Sequence, residues 1–213
     1  MTASKTAPIL LFTLAIINGT WSQKGDENKH FDGLYLGVTV GSQNVIGGSF
    51  VDNTDFLQED TKVVVDIPAG FRKQLFANKL VLGLELRFGF LNGNLSLIDE
   101  QQQLQIDYQN DSQFGFGGIM GTTLGKKQKV LVYAYGIETK RKFDVNISFG
   151  NNSFTQKDKQ GMFKYGLGIE ANIYTKLNAL LTFGTYRVDF GDVITNKNIK
   201  EKLDINIGLV YQL

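Results

Sequence analysis

Over the last eleven residues, Leu203 to Leu213, apolar side chains fall on every second position: Leu203, Ile205, Ile207, Leu209, Tyr211 and Leu213. Asp204, Asn206, Gly208 and Gln212 take four of the five places between, and Val210 takes the fifth. Successive side chains of a strand point to opposite faces, so this segment has one apolar face and one small, polar face. A strand with nothing after it to cover its edge is expected to close a barrel by pairing with the first strand.

The same alternation recurs from Phe31 onward and predicts seven more strands. Strand one sets Leu34, Leu36, Val38 and Val40 against Tyr35, Gly37, Thr39 and Gly41. Strand two sets Val63, Val65, Ile67, Ala69 and Phe71 against Val64, Asp66, Pro68, Gly70 and Arg72. Strand three is the cleanest, with Leu80, Leu82, Leu84, Leu86, Phe88 and Phe90 facing one way and Gly83, Glu85, Arg87 and Gly89 the other. Strand four places Phe114, Phe116, Met120 and Leu124 opposite Gly115, Gly117, Gly121 and Thr123. Strand five is read with Leu131, Tyr133, Tyr135 and Ile137 on the apolar face, and Ala134, Gly136, Glu138 and Lys140 on the polar one. Strand six sets Phe163, Tyr165, Leu167, Ile169, Ala171 and Ile173 against Lys164, Gly166, Gly168, Glu170 and Asn172. Strand seven (Ala179, Leu181 and Phe183 against Thr182, Gly184 and Tyr186) is the weakest, and its facing is left open.

Connections alternate in length. Gln74–Asn78, Gly125–Gln128 and Thr175–Leu177 are short, whereas Ser42–Asp60, Asn92–Gln103, Gly150–Gln160 and Gly191–Lys200 are long and polar. Short turns at one rim and long loops at the other are the pattern of a membrane barrel with both chain ends on the periplasmic side. The fold expected is all-β, an eight-stranded antiparallel up-and-down transmembrane β-barrel. A soluble ligand-holding barrel is the competing fold. A water-facing surface would be dense in Lys, Glu and Thr, but the polar face here is dominated by Gly, which suits a narrow interior. The large aliphatics then face lipid, with Phe88, Phe90, Phe114, Phe116, Tyr135, Phe163 and Tyr165 forming part of an aromatic girdle near the long-loop rim.

Composition narrows the chemistry. At 213 residues with 24 Gly, 2 Pro and no Cys, one domain is expected, with neither disulfides nor thiolate metal sites. The formal charge of +1, with no Lys/Arg cluster interleaved with aromatics, argues against a nucleic-acid surface. Residues 1–22 read as a cleaved export signal: Lys5, an apolar run from Ala7 to Ile17, then Thr20-Trp21-Ser22. The run is too short for a membrane helix. Residues 23–30 are then a periplasmic linker and 31–213 the barrel, placing the protein in the bacterial outer membrane.

Phe31-Asp32-Gly33-Leu34-Tyr35-Leu36-Gly37, Tyr165-Gly166-Leu167-Gly168-Ile169-Glu170, Asp189-Phe190-Gly191 and the terminal strand together carry a resemblance to a known family. The chain resembles the small outer-membrane β-barrels that include opacity proteins and the transmembrane domain of outer-membrane protein A. The resemblance covers Phe31 to Leu213 and identifies architecture more than activity. It implies an insertion signal at Leu209, Tyr211 and Leu213, read by the barrel-insertion machinery, although the family usually ends in Phe and this chain ends in Leu213. Enzymes on similar barrels use a His near the outer rim. The only His here is His30, on the periplasmic side of strand one, so no catalytic residue is assigned.

Neither a cofactor nor a metal is expected. Gly115-Phe116-Gly117-Gly118 lacks the following helix of a phosphate loop. Asp52, Asp55, Glu59 and Asp60 lack the ligand order of a calcium loop. Two features remain. Asp66, Glu85, Arg87, Glu138, Lys140, Lys164 and Glu170 are expected to pair inside the barrel, with Arg87 opposite Asp66 and Glu85 one step below. Leu104, Ile106 and Tyr108 are read as in phase with Phe114 and Phe116, and Phe143, Val145, Ile147 and Phe149 continue strand five. These would give a protruding hairpin with an exposed apolar face, an interaction surface for an extracellular protein or host-surface ligand. Strand addition at the hairpin's free edge is the expected mechanism. The function expected is a monomeric barrel with a largely plugged interior and a structural or surface-binding role, surrounded by outer-membrane lipids and lipopolysaccharide. A narrow passive pore for small solutes is the alternative.

Overall fold

The computed structural model describes residues 29–51, 54–92, 94–99, 103–150, 152–189 and 202–213. They form nine strands and no helix: β1 (Gly33–Val51), β2 (Thr54–Leu75), β3 (Leu80–Asn92), β4 (Asn94–Asp99), β5 (Leu104–Leu124), β6 (Val130–Phe149), β7 (Asn152–Tyr174), β8 (Leu177–Asp189) and β9 (Lys202–Gln212). Every pairing is antiparallel. β3 and β4 lie end to end against β5, so the nine strands make eight staves. β9 pairs with β1 from Tyr35↔Gln212 to Ser42↔Ile205, which closes the ring as the terminal alternation predicted. The export segment, most of the linker, Asp52 and the Gly191–Lys200 connection lie outside the described residues.

The three short connections are tight turns at one rim. Most of what read as long polar loops is strand. Ser42–Asp60 continues the β1–β2 hairpin, Asn92–Gln103 contains β4, and Gly150–Gln160 belongs largely to β7. Polar composition misled here because both faces of a strand beyond the membrane meet water or a small core, so the lipid-facing apolar signal is absent. β1, β2, β5, β6 and β7 run 19 to 23 residues, whereas a tilted strand needs about 9–11 to cross the hydrocarbon. The wall therefore stands well above the membrane at the long-hairpin rim.

Facing follows the sequence on six staves through the membrane-spanning part. Leu34 to Val40 of β1, Leu82 to Phe90 of β3, Phe114 to Leu124 of β5 and Leu203 to Leu213 of β9 expose their apolar sets. Strand seven, left open by its sequence, sends Phe183 outward and Thr182 and Tyr186 inward.

β6 is inverted. Leu131, Tyr133, Tyr135 and Ile137 point into the barrel and are buried, whereas Ala134, Glu138 and Lys140 are exposed on the outside. Tyr135 is thus no part of the girdle. The reason is volume. Tyr133 pairs with Gly121 on one side and Gly168 on the other, and Tyr135 pairs with Gly166, itself opposite Gly184. A Cβ at Gly168 would fall on the Tyr133 ring, and one at Gly184 on the Tyr135 hydroxyl. The glycine faces of β5, β7 and β8 are the space into which the tyrosine face of β6 fits. Bulk alone made that face look lipid-facing.

A second correction concerns the outer part of β5. The β5–β6 register shifts between Asn110 and Ser112, and a one-residue bulge exchanges the two faces of a strand. Leu104, Ile106 and Tyr108 are therefore on the inner side, out of phase with Phe114 and Phe116. They join Val45, Val64, Leu91, Leu95, Phe143 and Val145 in a buried apolar cluster, with Leu97 and Ile147 packed against it. A smaller cluster of Ile46, Met162, Tyr186 and Val188 adjoins the opposite wall.

Neighbouring glycines test this packing. A Cβ at Gly117 would run into the Gly136 carbonyl oxygen, which cannot move away cheaply, whereas one at Gly118 finds only the Gly83 carbonyl at 3.4 Å. Gly117→Ala is expected to destabilise the barrel by about 1–3 kcal/mol and Gly118→Ala by less than about 0.5 kcal/mol. Urea titration of the heat-modifiable folded band reads the difference.

Candidate functional site: the barrel interior and the outer ribbon

Eight charged side chains are buried among the described residues: carboxylates Asp66, Glu85, Glu170 and Asp204, and cations Arg72, Arg87, Arg141 and Lys164. The numbers balance, as they must where an unpaired charge would cost several kcal/mol. Near the short-turn rim the pairing is tight. Arg72 Nη1 meets Glu170 Oε2 at 2.7 Å, and Asn178 Nδ2 donates to Glu170 Oε1 at 2.8 Å. The Arg72 guanidinium also lies 3.7 Å from the centroid of the Tyr35 ring, and the Tyr35 hydroxyl donates to Glu85 Oε2 at 2.7 Å. Arg87 meets Glu85 Oε1 at 2.6 Å through Nη2 and 3.1 Å through Nε. Phe31, Val81, Leu131 and Leu180 are buried in one apolar cluster with Tyr35.

Further toward the outer rim the network is looser. Lys164 Nζ donates to Gln43 Oε1 at 3.0 Å and sits 3.6 Å from Asp204 Oδ2. Gln113 Nε2 donates to Asp66 Oδ1 at 2.8 Å, and Arg141 Nη1 reaches Gln160 Oε1 at 3.5 Å. Asp66 Oδ2, Gln113 Oε1, Thr139 Oγ1 and the Arg141 Nε and Nη2 atoms have no protein partner. Above them lie the two apolar clusters, and the wall is drawn together there. The Tyr186 hydroxyl donates to the Asn44 carbonyl, and Gln160 Nε2 donates to the Ile46 carbonyl at 3.1 Å. β8 and β9 lie between β7 and β1 in the ring, so these bonds reach across the interior wall rather than along one hairpin.

The structure brings Asp66, Glu85, Arg87, Lys164 and Glu170 into the interior but not Glu138 and Lys140, which follow the inversion of β6 to the outside. Arg87 is opposite Pro68, and Asp66 opposite Gly89, so the expected Arg87–Asp66 pairing is displaced. Sequence reasoning missed Arg72, Arg141 and Asp204. Arg72 and Asp204 were already on the inward faces of their strands, and the need for charge balance could have recruited them. Arg141 was hidden by the misread face of β6.

The predicted interaction surface is mostly core. Leu104, Ile106, Tyr108, Phe143 and Val145 are buried and Ile147 is half-buried, whereas Phe149 is 57% exposed. Exposed apolar side chains at the ribbon top are Phe149 and Phe154 (55%), on the β6–β7 hairpin, with Ile98 of β4. Asn152 to Lys157 are exposed on both faces of β7. Leu209, Tyr211 and Leu213 lie on the outward face at the end of β9. His30 sits at the short-turn rim, where burial lowers its pKa and a hydrogen bond with the Lys127 backbone opposes the shift. Among the described residues no group of three His, Cys, Asp or Glu side chains is placed to hold a metal ion.

Against known proteins, the family described as "Outer membrane protein beta-barrel domain" matches residues 10–212. No curated protein matches the chain. Among solved structures, Ail, the attachment invasion locus protein of Yersinia pestis, is 10% identical with TM-score 0.48, covering 84% of this chain and 98% of that one. Neisserial surface protein A is 12% identical with TM-score 0.47, covering 85% and 98%. A major outer membrane protein from Thermus thermophilus is 10% identical with TM-score 0.46, covering 84% and 99%. Likenesses of this strength transfer no residue roles.

A double-mutant cycle on the inner pair tests the interior electrostatics. Arg72→Met leaves Glu170 buried with only Asn178 and should cost about 3–5 kcal/mol. The double variant Arg72→Met/Glu170→Met should recover a large part of that loss. Equilibrium unfolding in lipid vesicles reads both, and a double variant as unstable as the sum of its singles would rule the pairing out.

Proposed function

We propose, because the chain belongs to the outer membrane protein β-barrel domain family, that it is a closed outer-membrane barrel whose task is surface interaction rather than transport or catalysis. The observation carrying this reading is the wall itself. Five strands of 19 to 23 residues carry β-structure beyond the membrane, and the apolar cluster around Val64, Ile106 and Val145 supports a closed interior there. Closure is supported by the balanced inner charges and by the two apolar clusters at the outer end.

The binding surface moves from the buried set to the tip. Phe149 and Phe154 present apolar area on a ribbon whose β7 residues Asn152 to Lys157 are open on both faces, and aromatic side chains dominate interface energetics. An extracellular protein or host-surface ligand is the partner proposed, met by a monomer. Leu209, Tyr211 and Leu213 would serve the insertion machinery from the exposed face of β9. A narrow pore is the second reading, favoured by the unpartnered polar atoms of Asp66, Gln113, Thr139 and Arg141, which suit a hydrated middle zone.

Two measurements decide. Phe149→Ser/Phe154→Ser should reduce binding of cells displaying the barrel to host surfaces at least tenfold while heat-modifiability is unchanged. Unaltered binding would remove the tip from the account. In planar bilayers the wild type should show no large, stable conductance, and a steady open channel would favour the pore.

A further inference from the structure

Each of the three short turns ends in a lysine at the same structural position. Lys79, Lys129 and Lys176 immediately precede β3, β6 and β8. The carbonyl of each accepts a backbone hydrogen bond from the neighbouring strand: from Thr123 at 2.9 Å, Asn172 at 2.8 Å and Gln212 at 2.7 Å. These bonds extend the ladders by one rung, so the lysines stand opposite Thr123, Asn172 and Gln212. Side chains opposite each other on paired strands share a face. Thr123 and Gln212 are buried on the inner face, and Asn172 Nδ2 donates to the buried Asn178 Oδ1 at 2.8 Å. The three lysines therefore carry the inward phase of their strands and stand over the barrel mouth, not toward lipid. All three are exposed.

The mouth beneath them offers no opposing charge. Phe31 is fully buried there, its backbone N–H held by Gln74 Oε1 at 2.9 Å. Gln74, Thr123, Asn178 and Gln212, the buried polar side chains of this rim, are uncharged. The carboxylates at this end are committed elsewhere. Asp32 serves Lys73 and the Gln74 N–H, and Glu170 serves Arg72 and Asn178. None of the three lysines makes an ion pair among the described residues. Lys126 and Lys127 add two more exposed ammonium groups on the β5–β6 turn. Inside the barrel the buried charges already cancel, four against four, so nothing below neutralises this arc. β3, β6 and β8 occupy alternate staves, which separates successive lysines by about 10 Å. Lys79 and Lys176 thus start from opposite sides of the ring.

We infer that Lys79, Lys129 and Lys176 form a binding site, at the short-turn mouth of the barrel, for a soluble anion bearing several linked phosphate groups. An ammonium is a compact, rotatable point charge that suits phosphate oxygens, whereas planar carboxylates favour the guanidinium fork. Three ammonium groups spread over half the ring match a chain of phosphates better than a single one. The site requires only the closed barrel and is independent of what the tip binds.

The test titrates the full folded barrel, in zwitterionic detergent at low ionic strength, with inorganic tripolyphosphate in a calorimeter. Lys79→Gln, Lys129→Gln and Lys176→Gln should each weaken binding about tenfold, as expected for losing one charge-assisted hydrogen bond. The triple variant Lys79→Gln/Lys129→Gln/Lys176→Gln should abolish it. Lys140→Gln/Lys142→Gln/Lys157→Gln removes the same charge from exposed positions nearer the other rim and should bind like the wild type. Inorganic phosphate, able to engage one lysine, should bind about a hundredfold more weakly. Equal affinity for phosphate and tripolyphosphate, equal loss in the two triple variants, or full displacement of tripolyphosphate by an anionic phospholipid would each overturn the site. Heat-modifiability confirms that every variant compared is folded.

Discussion

An eight-stave barrel closed by β1 and β9 has a narrow interior, of a width that side chains can fill. Everything else in the structure follows from fitting bulk and charge into that space. Three tyrosines, Tyr35, Tyr133 and Tyr135, are accommodated because glycines lie where their rings fall: Gly70 under Tyr35, Gly168 under Tyr133 and Gly184 under Tyr135. Four carboxylates and four cations are accommodated because they cancel. Hydrogen bonds to neutral groups such as Asn178, Gln43 and Gln113 take up part of the remaining capacity.

The two ends of this interior are organised differently. At the short-turn rim direct ion pairs and a cation over an aromatic ring hold the charged groups at short range. Toward the outer rim the charged groups are looser and apolar side chains take over the inner face. The upper cluster spans β1 to β6, while Tyr186 and Gln160 tie β7 and β8 to β1. The outer part of the wall is then a small β-structure with its own core, standing on the membrane-spanning part.

The barrel was legible in the sequence because lipid imposes a strict period of two on whatever faces it. β3 and β9 show this best, with apolar residues on alternate positions and small or polar ones between. Where lipid is not the neighbour, the rule lapses. β6 carries bulky residues on its inner face and Ala134, Gly136, Glu138 and Lys140 outside, and only its glycine neighbours reveal which way round it sits. The bulge between Asn110 and Ser112 leaves no mark in an alternating pattern read backwards from Phe114, since Leu104, Ile106 and Tyr108 are themselves regularly spaced. Asp66, Glu85, Arg87, Lys164 and Glu170 were legible as inward positions. Arg72, Arg141 and Asp204 required adding up charge over the whole interior rather than along one hairpin.

The central claim, that the wall above the membrane encloses an apolar core, can be measured on intact cells because the chain contains no Cys. Single cysteines at Ile106 and Val145, both buried, are compared with single cysteines at Gln109 and Lys142, both exposed. A membrane-impermeant maleimide should label the Gln109→Cys and Lys142→Cys proteins rapidly, and leave Ile106→Cys and Val145→Cys protected until the barrel is unfolded. Equal labelling of all four, or faster labelling at positions 106 and 145, would contradict the account.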